Sequence, residues 1–211
     1  MLQIVQHLVR AGVELALGAA SLAPSAPPLV AYEELVANPE SYLGQELRVH
    51  VQKHALAPEW EPYLTRFVPA RFVALDAWSD AQLPWVRADY ELPRVRVFVP
   101  LGGAAERTVT RAGVHRRLLV TCVVREHLAG RPWIEVVKVI PTRASIPEGS
   151  LLHAIRAEGF IERGSFALAA AELERALAAP LPAHAVASLE HRRRACEARA
   201  QKKRPAPAPE K

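Results

Sequence analysis

Four carboxylates, Asp76, Asp80, Asp89 and Glu91, form the densest group of acidic side chains in the sequence, between two predicted strands. Acids at the mouth of a barrel can bind a cation or activate water, but acids in a loop are more commonly solvated turn residues. No nucleophile elbow, phosphate loop or zinc-binding helix motif accompanies them, and the eight histidines are scattered. We therefore expect no catalytic residues, no metal ligands and no cofactor.

The two cysteines do not predict a reactive site. Cys122 lies in an apolar run next to two valines, which favours a buried, inert thiol. Cys196 lies near Arg193, Arg194 and Arg199, and these cations could lower its pKa. Packing of Cys196 in the apolar stripe of a helix remains the preferred interpretation.

The residues best suited to recognition lie on the strand predicted at Val95–Val99 and immediately before it. The valines of this run alternate, so Arg94, Arg96 and Phe98 share the opposite face. Cations beside an aromatic ring on a barrel surface bind single-stranded nucleic acid through phosphate pairing and base stacking. The preceding residues Trp78, Trp85 and Tyr90 would extend that ligand-binding surface. The alternative, which we prefer, is that these side chains cover the barrel and pack against helices.

The charge of the chain favours this alternative. Residues 191–211 contain eight Lys or Arg residues against two glutamates, a net charge of +6, so residues 1–190 carry −1 of the total of +5. The basic character therefore belongs to the C-terminal end, and the body of the protein is nearly neutral. A high isoelectric point is then weak support for nucleic-acid binding by the β domain.

The hydrophobic pattern divides the chain into two units between a proline-rich linker and a proline-rich tail. We assign residues 1–28 to an apolar segment plus linker, 29–149 to a β unit, 150–200 to a helical unit and 201–211 to a disordered tail. Apolar residues alternate or form short β-branched runs in the first unit. They recur every three to four residues in the second.

The first unit has the strand count of a small barrel. A short helix is predicted at Ala31–Ala37 and another at Gly102–Ala112. The predicted strands are Leu47–Gln52, Phe67–Asp76, Val95–Val99, Leu118–Arg125 and Trp133–Ile140. Five strands with a helix between the third and fourth are typical of an OB barrel. The predicted fold class is α+β, with a five-stranded OB-like antiparallel β-barrel followed by a helical hairpin or three-helix segment.

Two passages carry a resemblance to a known family. Tyr32–Leu35 with Asn38–Val49 resembles the start of bacterial OB-fold domains of the tRNA-anticodon-binding-like group, and Arg117–Val124 with Gly130–Val136 resembles their closing hairpin. The resemblance covers about half the chain and implies a fold rather than a function. The chain differs from that group by having His50 or Val51 and Cys122 where glycines are usual in the first and fourth strands.

The helical unit resembles a single tetratricopeptide repeat. The matching positions are Ala157, Phe160, Gly164, Phe166, Ala169, Leu173, Ala176 and Pro182. One repeat cannot bury its apolar face alone, so it must pack on the barrel, another subunit or a partner. We expect a partner-docking seam formed by Phe160, Phe166, Leu173 and Leu177, with Arg192, Arg193 and Arg194 exposed beside it.

The N-terminal segment 1–23 allows two interpretations. Its apolar run and the small residues Ser21 and Ala23 suit a cleaved signal peptide, which would place the protein in the periplasm or cell envelope. Glu14 disfavours this, and the helical spacing of the apolar residues equally suits a helix on a partner or a membrane surface. The protein would then be cytoplasmic.

The sequence favours a non-catalytic binding or scaffold protein that acts through protein–protein contacts of both units. The expected partner is another protein or a subunit of a larger assembly. The alternative is a barrel that binds single-stranded nucleic acid or another polyanion through Arg94, Arg96 and the basic tail.

Overall fold

The structure is a computed structural model that describes residues 26–60, 65–128 and 130–202. Two segments discussed above, the apolar stretch 1–23 and the tail from Lys203 onward, lie outside the described residues. The helix predicted to end at residue 200 continues to Lys202, so the first two residues of the predicted tail are helical.

Five strands and six α-helices follow one another in the described part of the chain. The strands are β1 (Glu46–Ala57), β2 (Phe72–Ser79), β3 (Val95–Pro100), β4 (Arg117–Leu128) and β5 (Arg131–Pro141). The helices of the first unit are α1 (Tyr32–Ala37), α2 (Arg87–Glu91) and α3 (Ala104–Arg111), and those of the helical unit are α4 (Glu148–Glu162), α5 (Phe166–Ala176) and α6 (Ala183–Lys202).

The strands close into a barrel in the order β1-β2-β3-β5-β4. This confirms the predicted α+β class with an OB-like barrel, with one correction. The β3–β5 pair is parallel, whereas the other four neighbouring pairs are antiparallel. A closed ring with an odd number of strands cannot alternate in direction throughout, so a five-stranded barrel must contain a parallel pair.

The alternating pattern correctly predicted which side chains of the strands point into the barrel. Alternation of apolar and polar residues predicts that six valines face the interior, and all six belong to the barrel core and are at most 1% exposed. They are Val49, Val51, Val95, Val97, Val120 and Val136. Arg96 lies on the opposite face of β3 and is exposed.

The barrel closes without glycines in β1 and β4. Register shifts occur in β1 between Lys53 and Ala55, in β4 between Val124 and Glu126, and opposite Cys122 in β5, where Val137 is the extra residue. A β-bulge bends its strand and increases the local twist. Two of these three irregularities lie in the strands that lack the expected glycines, where they favour the coiling of the barrel.

Helices α1 and α3 complete the barrel core. Tyr32 and Leu35 from α1 and Val109 from α3 are buried in it. The Lys53 ammonium group donates hydrogen bonds to the carbonyl oxygens of Val109 (2.7 Å) and Ala112 (2.6 Å). These are carbonyls at the C-terminal end of α3, where a cation is favoured by the helix dipole. Burial lowers the pKa of Lys53.

The helical unit has a core of its own, which the barrel unit helps to fill. Leu151, Leu173 and Leu189 are buried with several alanines that let the helices approach closely. Trp85, from the segment between β2 and β3, is 3% exposed and belongs to this helical core, as does Ile146. The barrel unit therefore supplies part of the surface on which the helices pack.

Candidate functional site

The two arginines of the predicted ligand-binding surface are both paired with carboxylates. Arg96 donates to both oxygens of Asp76, from Nε at 2.6 Å and from Nη2 at 2.8 Å. Arg94 Nη2 lies 3.2 Å from Asp89 Oδ1. A phosphate would have to compete with these carboxylates, so neither guanidinium group is a free cation.

Phe98 lies on the outer face of β3, as alternation predicts, but its ring is buried there and is not accessible beside the arginines. Its ring is 2% exposed and stacks on Phe67 with 4.5 Å, and on Trp133 with 5.0 Å, between ring centroids. Phe67 was predicted to start the second strand, but β2 begins at Phe72. The segment before β2 instead lies over the outer face of the barrel, where Phe67 and Trp60 cover Phe98. Burial of large rings by the chain itself stabilises this arrangement.

Two of the three aromatic residues that would extend that surface are also buried, which agrees with the preferred interpretation of packing rather than ligand binding. Trp78 lies on β2 and is fully buried; its ring stacks on His115 and Tyr90, and its indole N–H donates to the Asp89 carbonyl oxygen at 3.0 Å. Trp85 lies in the helical core. Only Tyr90 is accessible, at 39% exposure. The six residues therefore do not form a shared platform on which bases could stack.

The four carboxylates are held apart in separate ion pairs. Asp76 pairs with Arg96, Asp89 with Arg94, Glu91 with Arg87, and Asp80 with Arg117. Within the three described ranges, no group of three or more His, Cys, Asp or Glu side chains is arranged to hold a metal ion. The absence of a catalytic role for these acids stays a prediction.

Asp80 belongs to a polar cluster at the junction of the two units. Arg117 Nε donates to Asp80 at 3.1 Å, and His184 Nδ1 from α6 lies 3.7 Å from the same carboxylate. Burial lowers the pKa of His184 and of His50, which faces the same pair of charges. A cavity of about 260 Å³ adjoins the cluster, lined by Leu29, Val30, Ala31, Tyr32, Glu33, His50 and Asp80. No sequence spacing predicted this cluster, because its members come from four different elements.

The predicted apolar seam of the helical unit does come together. Leu173 is fully buried, and Phe160, Phe166 and Leu177 are half-buried against the same core. His153, at the position where the repeat pattern favours an aromatic residue, instead contacts Glu172 of α5, with Nδ1 2.7 Å from Oε2. The pKa of Glu172 is lowered by its hydrogen bond with His153.

The arginine cluster beside the seam differs from the prediction of three exposed cations. Arg192 is 29% exposed and pairs with Glu158 of α4. Arg193 pairs with Glu197 at 2.6 Å, and Arg194 pairs with Glu190 at 3.0 Å, both one turn away on α6. Only Arg194 is mostly exposed, at 72%. Residues four apart face each other on a helix, so these glutamates neutralise the arginines locally.

An accessible groove lies between α4 and α6. Its volume is about 390 Å³. Ile161, Ala195 and Cys196 supply apolar lining, and the polar lining residues are Glu158, His191, Arg192 and Arg199. The sequence placed Cys196 on the helix stripe, but only the packing of α6 on α5 shows that α4 and α6 leave a gap.

Both thiols are held in their neutral form. Burial raises the pKa of Cys122 to about 12. Burial also raises the pKa of Cys196, and the opposing effect of Arg199 and Arg192 is smaller. Because the thiolate is the nucleophilic form of cysteine, neither environment activates the sulfur.

Comparison of the chain with protein-family models, with curated proteins and with solved structures finds no match. Among the helices of the described ranges, none combines the length and the apolar character needed to cross a membrane.

Proposed function

We propose that this protein is a non-catalytic binding or scaffold protein that makes protein–protein contacts through its helical unit and its barrel. The observation that carries this proposal is the open groove between α4 and α6, which combines an apolar floor with charged walls. Such a surface suits a segment of another protein, because apolar side chains fill the floor while polar groups at the rim fix the orientation.

The distribution of exposed apolar side chains supports the same proposal. Leu152, Ile155 and Leu168 of the helical unit are 46%, 45% and 55% exposed. On the barrel, Val137 and Ile140 of β5 are 50% and 43% exposed. Both units therefore offer apolar contact area that does not depend on Arg94 or Arg96.

Binding of single-stranded nucleic acid by the barrel is the weaker proposal. It needs free cations beside accessible rings. Arg94 and Arg96 are paired with carboxylates, and Phe98 and Trp78 are buried. The basic residues of the C-terminal end would then have to supply the affinity.

Two matched double variants test the proposal by co-purification from the cells in which the protein is naturally made. One replaces Leu152 and Ile155 by Glu, and the other replaces Val137 and Ile140 by Glu. All four side chains are between 43% and 50% exposed, so each pair changes the surface equally and spares the core. Leu152 and Ile155 lie on α4, which also supplies Glu158 and Ile161 of the groove, so we expect the helical pair to reduce recovery of a partner that the wild-type chain retains, and the barrel pair to reduce it less.

A parallel measurement addresses the alternative. The chain shortened to Lys202 is applied to single-stranded DNA on a column at about 0.15 M salt, where phosphate binding is still measurable but falls steeply as salt increases. We expect no retention. Retention that is lost in the Arg94→Ala, Arg96→Ala double variant, with partner recovery unchanged by both Glu pairs, would contradict the proposal.

A further inference from the structure

The α4–α6 groove has a positively charged wall that is built into the fold. Arg199 lies on α6 with its guanidinium carbon 5.4 Å from the centre of the Phe166 ring on α5. Stacking on a ring fixes the plane of a guanidinium group and leaves its N–H edges free to bind a carboxylate. Among the described carboxylates, none forms an ion pair with Arg199, although Arg192, Arg193 and Arg194 each have one.

The net charge of α6 makes this side of the groove more positive. The helix carries Arg192, Arg193, Arg194, Arg199 and Lys202 against Glu190 and Glu197. The only carboxylate that lines the groove, Glu158, is paired with Arg192. The field in the groove is therefore positive, which selects for an acidic occupant.

The apolar lining of the groove distinguishes between two classes of acidic ligand, nucleic acid and peptide. Ile161, Ala195 and Cys196 are aliphatic or thiol side chains, and the lining contains the imidazole of His191 but no Phe, Tyr or Trp ring. Nucleic-acid binding sites for single strands combine cations with rings on which bases stack. An aliphatic floor instead accepts the apolar side chains of a peptide, as grooves that bind amphipathic helices do.

We propose that the groove between α4 and α6 binds an acidic amphipathic segment of another protein, with apolar side chains on Ile161, Ala195 and Cys196 and a carboxylate on Arg199. This inference rests on the proposed protein-binding function and names the class of partner for that site.

The test uses the full chain and a displayed library of random 16-residue peptides, followed by affinity measurement of selected peptides by fluorescence polarisation. Enriched peptides should carry net negative charge and apolar residues three or four positions apart. Ala195→Trp, which fills the groove, should weaken binding by tenfold or more. Ala198→Trp is the matched control, since Ala198 is also exposed on α6 but does not line the groove.

A second pair of variants tests the carboxylate contact. Arg199→Glu should lower the affinity of the same peptides by about tenfold, the loss expected for one charge-assisted contact. Arg156→Glu makes the same charge change at an exposed position of α4 outside the groove, and should have little effect.

Each outcome decides between distinct conclusions. Enriched peptides that are neutral or basic, or whose affinity Ala195→Trp leaves unchanged, would overturn the groove proposal while protein binding itself survives. Failure to enrich any peptide would also overturn it. Binding of a 20-nucleotide oligo-dT or of vesicles containing anionic lipid, lost on Arg199→Glu and seen without peptide binding, would contradict the proposed protein-binding function as well.

Discussion

On the outer face of the barrel, the rings of Phe67, Phe98 and Trp133 stack beneath a segment of the same chain, and Arg96 is held by Asp76. The helical unit differs in both respects. Its core takes Trp85 from the barrel unit, and its third helix leaves a groove in which Arg199 has a ring beneath it but no carboxylate beside it among the described residues.

The difference lies in how each unit buries and pairs its own side chains. On its outer face the barrel covers its aromatic rings and pairs Arg96 with Asp76 within the same chain. The three helices share a core of their own, but Trp85 of the barrel unit belongs to it, and the groove between α4 and α6 stays open. Of the two units, the helical one is therefore the better candidate for binding. The difference between the units can be tested with variants that remove the side-chain contacts of each.

The largest expected effect is that of Trp85→Ala. The indole is 3% exposed and lies in the helical core, so its removal should cost about 3–5 kcal/mol in the free energy of unfolding. Hydrogen exchange should show α4–α6 losing protection before the barrel strands. Trp60→Ala is the control, because Trp60 is half-buried on the barrel's aromatic stack and should leave exchange in the helices unchanged. Equal loss of protection in both units would contradict a dependence of the helices on this anchor.

A smaller effect is expected within the seam of the helical unit. Leu173→Ala should destabilise the protein by about 2–5 kcal/mol, because Leu173 is fully buried. Phe166→Ala should cost only about 1 kcal/mol, since its ring is half-buried. Urea denaturation of both variants measures the difference. A Leu173→Ala variant as stable as the wild type would mean that the seam contributes nothing to the docking of the helices.

Stability should fall in mildly acidic solution. Burial lowers the pKa of His50, His115 and His184 in the folded state, below the value of about 6.5 in the unfolded chain. The unfolded state then binds more protons, so stability is full above about pH 6.5, declines as the pH drops below it, and levels off below the folded-state values. Thermal melting at pH 7.5 and 5.0 should differ by a few degrees.

The contribution of the junction can be isolated with His184→Gln. Asp80 raises and Arg117 lowers the pKa of His184, but burial outweighs both. The variant should reduce the difference in melting temperature between the two pH values. An unchanged difference would assign the acid sensitivity to His50 and His115 instead.

The smallest effect is expected for Arg96→Ala on the barrel face. Its side chain is 51% exposed, so loss of the pair with Asp76 should cost about 0.2–1 kcal/mol. Arg117→Ala should cost more, because Arg117 is only 12% exposed and holds Asp80 at the junction. If the two variants were equally stable, the junction pair would be no more important than a surface pair.

Local sequence patterns specify the local geometry of this protein. Strict alternation around Val95 and Val97 set which face of β3 points inward, because successive side chains of a strand must lie on opposite faces. Likewise, the three-to-four-residue period gave the buried stripe with Leu189 and Cys196 on α6. Strand count, the helix between the third and fourth strands and the change from strands to helices followed from such local patterns.

Contacts between distant parts of the chain control which outward-facing groups remain accessible. Alternation put Phe98 and Arg96 on one face, but whether a ring there meets solvent depends on the segment that Phe67 belongs to. In the same way, Asp80 pairs with Arg117, which is 37 residues further along the chain, and lies near His184 across the junction of the two units. The groove exists because α6 packs on α5 and leaves a gap beside α4. Periodicity describes neighbours along the chain, whereas accessibility, ion pairing and cavities depend on contacts between residues that are distant in sequence.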